Sequence, residues 1–236
     1  MPPPKPPYIR KLEELPPLTV WEVDGAYIRQ NLSEEFTNFG QHFAFRFIPK
    51  NEFWIDKEHA PGEERFFVDH LLTEYRLMAK GKGYDQAHLK AIKVESRERH
   101  KADLSRKGLD GKTTPDLINK IHKEKLSCYS NNKVTVWVIN GELVRTKFFV
   151  DFTEGGHDFV YKFVPRGEVW LDDDLGQTQD REFVLLHELH ERALMAKGYE
   201  YLKAHRSASR IEHLCRNNPP ELPKCLKEAV KQNLDT

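Results

Sequence analysis

The chain is expected to fold as an α+β protein of two tandem repeats, each an antiparallel β-hairpin or meander followed by an α-helical hairpin. Three observations predict this. Segments 19–56 and 135–172 match at a constant offset of 116, and segments 66–95 and 183–212 at 117, so one inserted residue lies in the loop between them. The first part of each copy is rich in β-branched and aromatic residues. The second part changes to a helical period and ends on a glycine, where a helix C-cap is expected.

The elements follow in order. Residues 1–17 open with MPPPKPP and are read as a Pro-rich, disordered lead-in. Residues 18–107 form repeat unit 1, 108–132 a linker, 133–216 repeat unit 2 and 217–236 a C-terminal tail. Each unit begins with a hairpin signal, Thr19 to Arg29 around Asp24-Gly25 and Thr135 to Arg145 around Asn140-Gly141. Asp-Gly and Asn-Gly suit a two-residue type I′ turn, whose central residues both need positive φ. Phe43–Pro49 and Phe159–Pro165 alternate apolar with polar or small residues and read as a strand with one buried face. Glu52–Asp56 and Glu168–Asp172 read as one more short strand each, with Trp21, Trp54, Trp137 and Trp170 expected in the sheet core. Phe66–Lys80 and Phe183–Lys197 are the first helices, stopped at Gly81 and Gly198. Second helices start near Tyr84 and Tyr201 and run past Glu95 and Glu212. In the linker, Gly108–Pro115 reads as loop and Asp116–Lys125 as a short helix. In the tail, Asn218-Pro219-Pro220 breaks the last helix, with room for a short terminal one.

Composition narrows the function classes. Of 236 residues 39% are hydrophobic, and no apolar run approaches the roughly 20 residues of a membrane helix. The N-terminus has no apolar segment of a secretory signal. The 37 basic and 37 acidic residues cancel, which argues against extensive neutralisation of nucleic-acid phosphates. The basic run from Arg97 to Lys107 reads as a solvated helix end. Cys128, Cys215 and Cys225 are odd in number, irregularly spaced and without a CxxC, which fits a reducing cytoplasm rather than a disulfide framework.

Seven polar and small residues recur together: His70, Glu74, Tyr84, Ala87, His88, Ala91 and Glu95, matched by His187, Glu191, Tyr201, Ala204, His205, Ala208 and Glu212. A His and a Glu four apart lie on one helix face. The next helix brings a second His, flanked by alanines that let the helices approach. Each unit thus offers a His₂Glu set, the donor complement of an open zinc site, with other divalent ions allowed. Glu212 is seven residues from His205, about 10 Å along a helix. It is expected to accept a hydrogen bond from a ligating imidazole and fix its tautomer, with direct ligation as the alternative, and Glu95 likewise. Tyr84 and Tyr201 are read as packing residues with a polar tip.

In the second copy, His187-Glu188-Leu189-His190-Glu191 resembles the zincin metallopeptidase motif HExxH, with glutamate replacing the second histidine (HExxE). The resemblance implies a ligand role for His187 and a general-base role for Glu188 toward an ion-activated water. Leu71 stands at the Glu188 position in the first copy, so that copy lacks the base. His190 matches Thr73 and is left between assisting the chemistry and facing solvent. His157 matches Gln41 and is read as a loop residue. Asp172-Asp173-Asp174 lacks the glycine and distal glutamate of a calcium loop and is read as a solvated strand end. Arg29 and Arg145 are left between pairing with a site carboxylate and standing alone.

Two readings of the recurring residues remain open: divalent-metal sites, or buried His–Glu networks holding each helical hairpin. The leading functional expectation is a zinc-dependent, peptidase-like hydrolase with its active site in the second repeat. The alternative is a non-catalytic, metal-stabilised or purely structural module that binds a protein or peptide. No membrane or nucleic-acid partner is expected. The two small units are expected to pack as an internal pseudo-dimer.

Overall fold

The computed structural model describes residues 7–105 and 115–234, in two compact units, residues 1–109 and 110–236. The first six residues of the Pro-rich lead-in and residues 108–114 of the loop read over 108–115 lie outside the described residues, and Pro115 is already helical. Unit 1 comprises β1 (Tyr8–Leu15), β2 (Leu18–Val23), α1 (Gly25–Asn31), β3 (Phe39–Gln41), β4 (Glu52–Asp56), α2 (Glu64–Ala79) and α3 (Tyr84–Ser105). Unit 2 comprises α4 (Pro115–Ile121), β5 (His122–Lys125), β6 (Thr135–Ile139), α5 (Gly141–Lys147), β7 (Gly155–His157), β8 (Glu168–Asp172), α6 (Gln179–Ala196), α7 (Tyr201–Asn217) and α8 (Leu222–Gln232). The α+β class and its twofold repetition of strands followed by helices are therefore present.

Each sheet has four strands, in the orders β1-β2-β4-β3 and β5-β6-β8-β7. The inner pairs β2–β4 and β6–β8 are parallel and share one register, with Trp21 opposite Trp54 and Trp137 opposite Trp170. A parallel pair needs a crossover, and the residues expected to form a hairpin supply its beginning. Asp24 and Asn140 do not turn a hairpin; they are helix N-caps, accepting from Tyr27 N (3.2 Å) and Leu143 N (2.8 Å). The same residue types serve both purposes, because Asp and Asn cap helices as readily as they enter turns. Gly25 and Gly141 are required by close approach: a Cβ would lie 1.7 Å from Asp56 Oδ2 and 2.0 Å from Asp172 Oδ2.

The strands expected over Phe43–Pro49 and Phe159–Pro165 are instead successive turns, with Phe45 N donating to Gln41 O and Ile48 N to Phe45 O. Alternation there comes from Phe45 and Phe47 packing beside Trp54, not from pleating. The third strand precedes this segment, as β3 and β7. Two strands lie where lead-in and linker were read. β1 and β5 pair antiparallel with β2 and β6. Both are short on buried residues; their charges suit an exposed sheet edge and hide the strand pattern. The expected linker helix ends at Ile121, where β5 begins.

Helix ends fall as expected. Gly81 and Gly198 have φ of 82° and 88°, and each closes a Schellman motif, with Lys82 N bonding Leu77 O and Tyr199 N bonding Leu194 O. α2 lays Phe67 and Leu71 on Val20, Phe53 and Ile55. α6 does the same in unit 2, where α8 adds Leu222, Leu226 and Ala229. Ala87, Ala91, Ala204 and Ala208 are fully buried, so each helical hairpin is closed tightly. No helix among the described residues is long and apolar enough to cross a membrane.

Candidate metal centres

α2 and α3, and likewise α6 and α7, bring the recurring residues together at the closed face of each hairpin. In unit 2, His187 Nε2 lies 3.1 Å from His205 Nδ1 and 3.6 Å from Glu191 Oε2, and His205 Nδ1 lies 2.8 Å from Glu191 Oε2. In unit 1 the matching separations among His70, His88 and Glu74 are 3.3, 3.9 and 3.2 Å. Two ligands of a tetrahedral zinc ion, each about 2.1 Å from it, stand roughly 3.4 Å apart. The donor set therefore fits a divalent ion in both copies.

The surrounding bonds orient these donors. His70 Nδ1 and His187 Nδ1 donate to Glu95 Oε2 and Glu212 Oε2, each at 2.8 Å, which turns Nε2 toward the other two donors. Glu95 and Glu212 thus support the imidazoles, as their spacing implied. Each is held in turn by an arginine one helical turn on: Arg99 Nε to Glu95 (2.9 Å) and Arg216 Nε to Glu212 (2.8 Å). Arg99 also reaches Glu63 (2.6 Å), and Arg216 reaches Asp180. Arg99 is thus a buried member of the site, not part of a solvated helix end. Its neighbours Arg97 and Lys101 are solvated.

The second carboxylate oxygen of Glu74 and of Glu191 is held from the sheet. Gln41 Nε2 donates to Glu74 Oε2 (2.8 Å), while its Oε1 accepts from Phe43 N (2.7 Å). His157 does the same with different atoms: its Nδ1 accepts from Phe159 N (3.3 Å) and its Nε2 donates to Glu191 Oε1 (3.0 Å). His157 is therefore a buried strand residue, not the loop residue expected. A glutamine and a histidine occupy one position because both present an acceptor and a donor at opposite ends of a planar group. The donor atoms of His157, Glu188 and Glu191 also lie within 4.8 Å of one another. The proton that Phe159 fixes on Nε2 makes His157 a donor to Glu191 rather than a ligand, so this group does not form a second ion site.

Electrostatics favour positive charge at the centre. Burial opposes the charged ring of His187, but hydrogen bonds to Glu191 and Glu212 outweigh it and hold its pKa up at about 10. Burial likewise opposes the carboxylate of Glu74, but His70, His88 and Gln41 hold it down to about 2. Glu191 and Glu212 are lowered by their histidine partners in the same way. Without an ion, a proton on His187 occupies the position a cation would take.

Glu188 sits one residue beyond His187 and faces β7; a Cβ on Gly155 would lie 3.0 Å from its Cγ. Burial raises its pKa above the usual carboxylate value. Tyr84 and Tyr201 are exposed and stack on His88 and His205 at 5.2 and 5.5 Å between centroids. His190 turns to Ser207 Oγ (2.9 Å) on α7.

Of the aspartate run only Asp172 is buried, and Asp173 and Asp174 are partly exposed. Arg145 binds Asp172 and Asp174, and Asp173 accepts from Gly141 N. Arg29 binds Asp56 (2.7 Å) and Glu58 (2.5 Å) in unit 1. These arginines tie the last turn of each short helix to the end of β4 and β8 and the residues just after. Comparison with protein-family models, with curated proteins and with solved structures found no match.

Proposed function

We propose that this is a divalent-metal protein with one His₂Glu centre in each unit, zinc being the ion best suited, and that unit 2 is a hydrolase of peptidase-like chemistry. The observation that carries the metal reading is the repetition. Two copies much of whose remaining surface has drifted keep the same three converging donors, the same carboxylate behind one imidazole and the same arginine behind that carboxylate. In both units two imidazole nitrogens and one carboxylate oxygen converge within 3.9 Å of one another, as the donors of one ion would.

A bound divalent ion supplies Lewis-acid activation of a water and of a carbonyl oxygen. The chain's own residues do the rest. His187, His205 and Glu191 hold the ion, Glu212 fixes the tautomer of His187, and His157 fixes Glu191. Glu188, half-buried and raised in pKa, takes a proton from the attacking water and returns it to the leaving group. Unit 1 has Leu71 in place of that base, and this favours a second, structural role for its ion. Glu188→Gln tests the assignment: metal content is expected to stay unchanged while hydrolysis of a mixed peptide pool is lost. Hydrolysis retained in Glu188→Gln would refute the base.

A further inference from the structure

The two centres share their donors and differ in one wall. β3 and β7 lie beside α2 and α6, and at the position facing the helix unit 1 has Phe39 where unit 2 has Gly155. Opposite it, unit 1 has Leu71 where unit 2 has Glu188. The Phe39 ring lies 5.0 Å from the His70 ring and 4.8 Å from Phe67, and it packs on the buried cluster that contains Leu71. In unit 2 the benzyl group is gone, and Glu188 and Val184 come within 3.0 and 3.1 Å of where a Gly155 Cβ would be. The aromatic seal of unit 1 is thus replaced by the smaller Val184 and the Glu188 side chain.

The matched side chains are also more exposed in unit 2. His70 is 1% exposed and His187 12%; His88 is 21% and His205 35%; Glu95 is 2% and Glu212 11%. Only the Glu ligands are equal, at 4% each. The opening is therefore on the imidazole side, not a general loosening of the hairpin.

We propose that positions 39/155 and 71/188 divide the labour of the two centres: unit 1 holds a sealed, structural ion, whereas unit 2 admits a small oxygen-donor ligand to the remaining coordination position of its ion. The ligand class is a hydroxamate, a carboxylate or a substrate carbonyl, groups that bind through oxygen. Gly155 is the access-determining residue, and Phe39 its closed counterpart. This inference rests on the reading that both His₂Glu groups hold an ion.

The test uses the full chain loaded with cobalt(II), whose visible spectrum reports a change of ligand, with acetohydroxamate as the probe. In the native chain the probe is expected to shift the bands of one ion of two. His187→Ala abolishes the shift and His70→Ala leaves it intact. The double variant Gly155→Phe/Glu188→Leu, which carries the unit 1 residues, keeps two ions and loses the shift. Equal responses from both centres, or two bound ions of which neither responds, would overturn the division of labour while leaving metal binding intact. A native chain that takes up no cobalt would overturn the metal reading itself, and this inference with it. The two single His variants decide the matter even where the double variant fails to fold.

Discussion

His187 is held by Glu212 on one side and by its two co-donors on the other, so each neighbour has a measurable role. Glu212→Gln keeps the volume but weakens the acceptor behind Nδ1. Its expected effect is a loss of about 10- to 100-fold in ion affinity at unit 2, with unit 1 unchanged, read by competition with a chelator. Unchanged affinity at unit 2 would show that the carboxylate only packs. Protons compete for the same atoms. Because His187 is held up at about 10 in the metal-free chain, ion binding at pH 7 must displace a proton. Proton release should appear as a dependence of the binding enthalpy on buffer ionisation heat.

The same shifts set the stability of the metal-free chain. His187 is raised above 6.5, so its contribution is complete below pH 6.5 and is lost as pH rises through about 10. Glu74 and Glu212 are lowered below 4.5, so theirs is complete above pH 4.5 and is lost on acidification. These contributions coincide between pH 4.5 and 6.5. Urea midpoints of the metal-free chain should therefore fall from pH 6 toward pH 10; a flat profile would count against the coupling of His187 to its carboxylates.

The three donors, and the carboxylates behind them, were legible because they lie on two adjacent helices at regular spacing and recur. Gln41 and His157 were not, since the sheet brings them across 33 and 34 positions of sequence and the two copies use different residue types. Arg99 was hidden within a run of charges that reads as solvent-facing.

At the scale of elements, helices were legible and the sheet only in part. The helical period and the glycines at 81 and 198 define the hairpins, because backbone sterics at a C-cap leave few alternatives. The crossover from β2 to β4 was not legible, because Asp-Gly and Asn-Gly fit a type I′ turn and a capped helix alike. What selects the helix is tertiary: the α5 N-terminus rests against Asp172, which Arg145 also binds. Gly141→Ala places a methyl group on that carboxylate and is expected to cost about 1–3 kcal/mol, as overpacking of a filled site does. Urea unfolding measures it, and Gly25→Ala should behave alike in unit 1. A neutral result would show that Asp172 yields easily and that the close approach does not select the helix.

For the molecule as a whole, duplication acts as an internal control. Each unit repeats one strand order and one parallel register. Each also repeats one anchoring arginine and one His₂Glu group. Unit 2 departs from unit 1 in α8, which closes its core, and in Gly155, His157 and Glu188 beside the centre. The shared features fit the proposed ion binding, and the departures fit the proposed chemistry in unit 2. β1 and β5 sit at the sheet edges opposite β3 and β7, away from the centres, which are built by β3, β7 and the helices.

The most direct test is elemental analysis of the untagged, purified chain beside His70→Ala and His187→Ala. Two divalent ions per chain, falling to one in each variant, is the predicted result. A native chain without bound metal after zinc or manganese has been supplied would contradict the central claim and leave the recurring residues as hydrogen-bond networks.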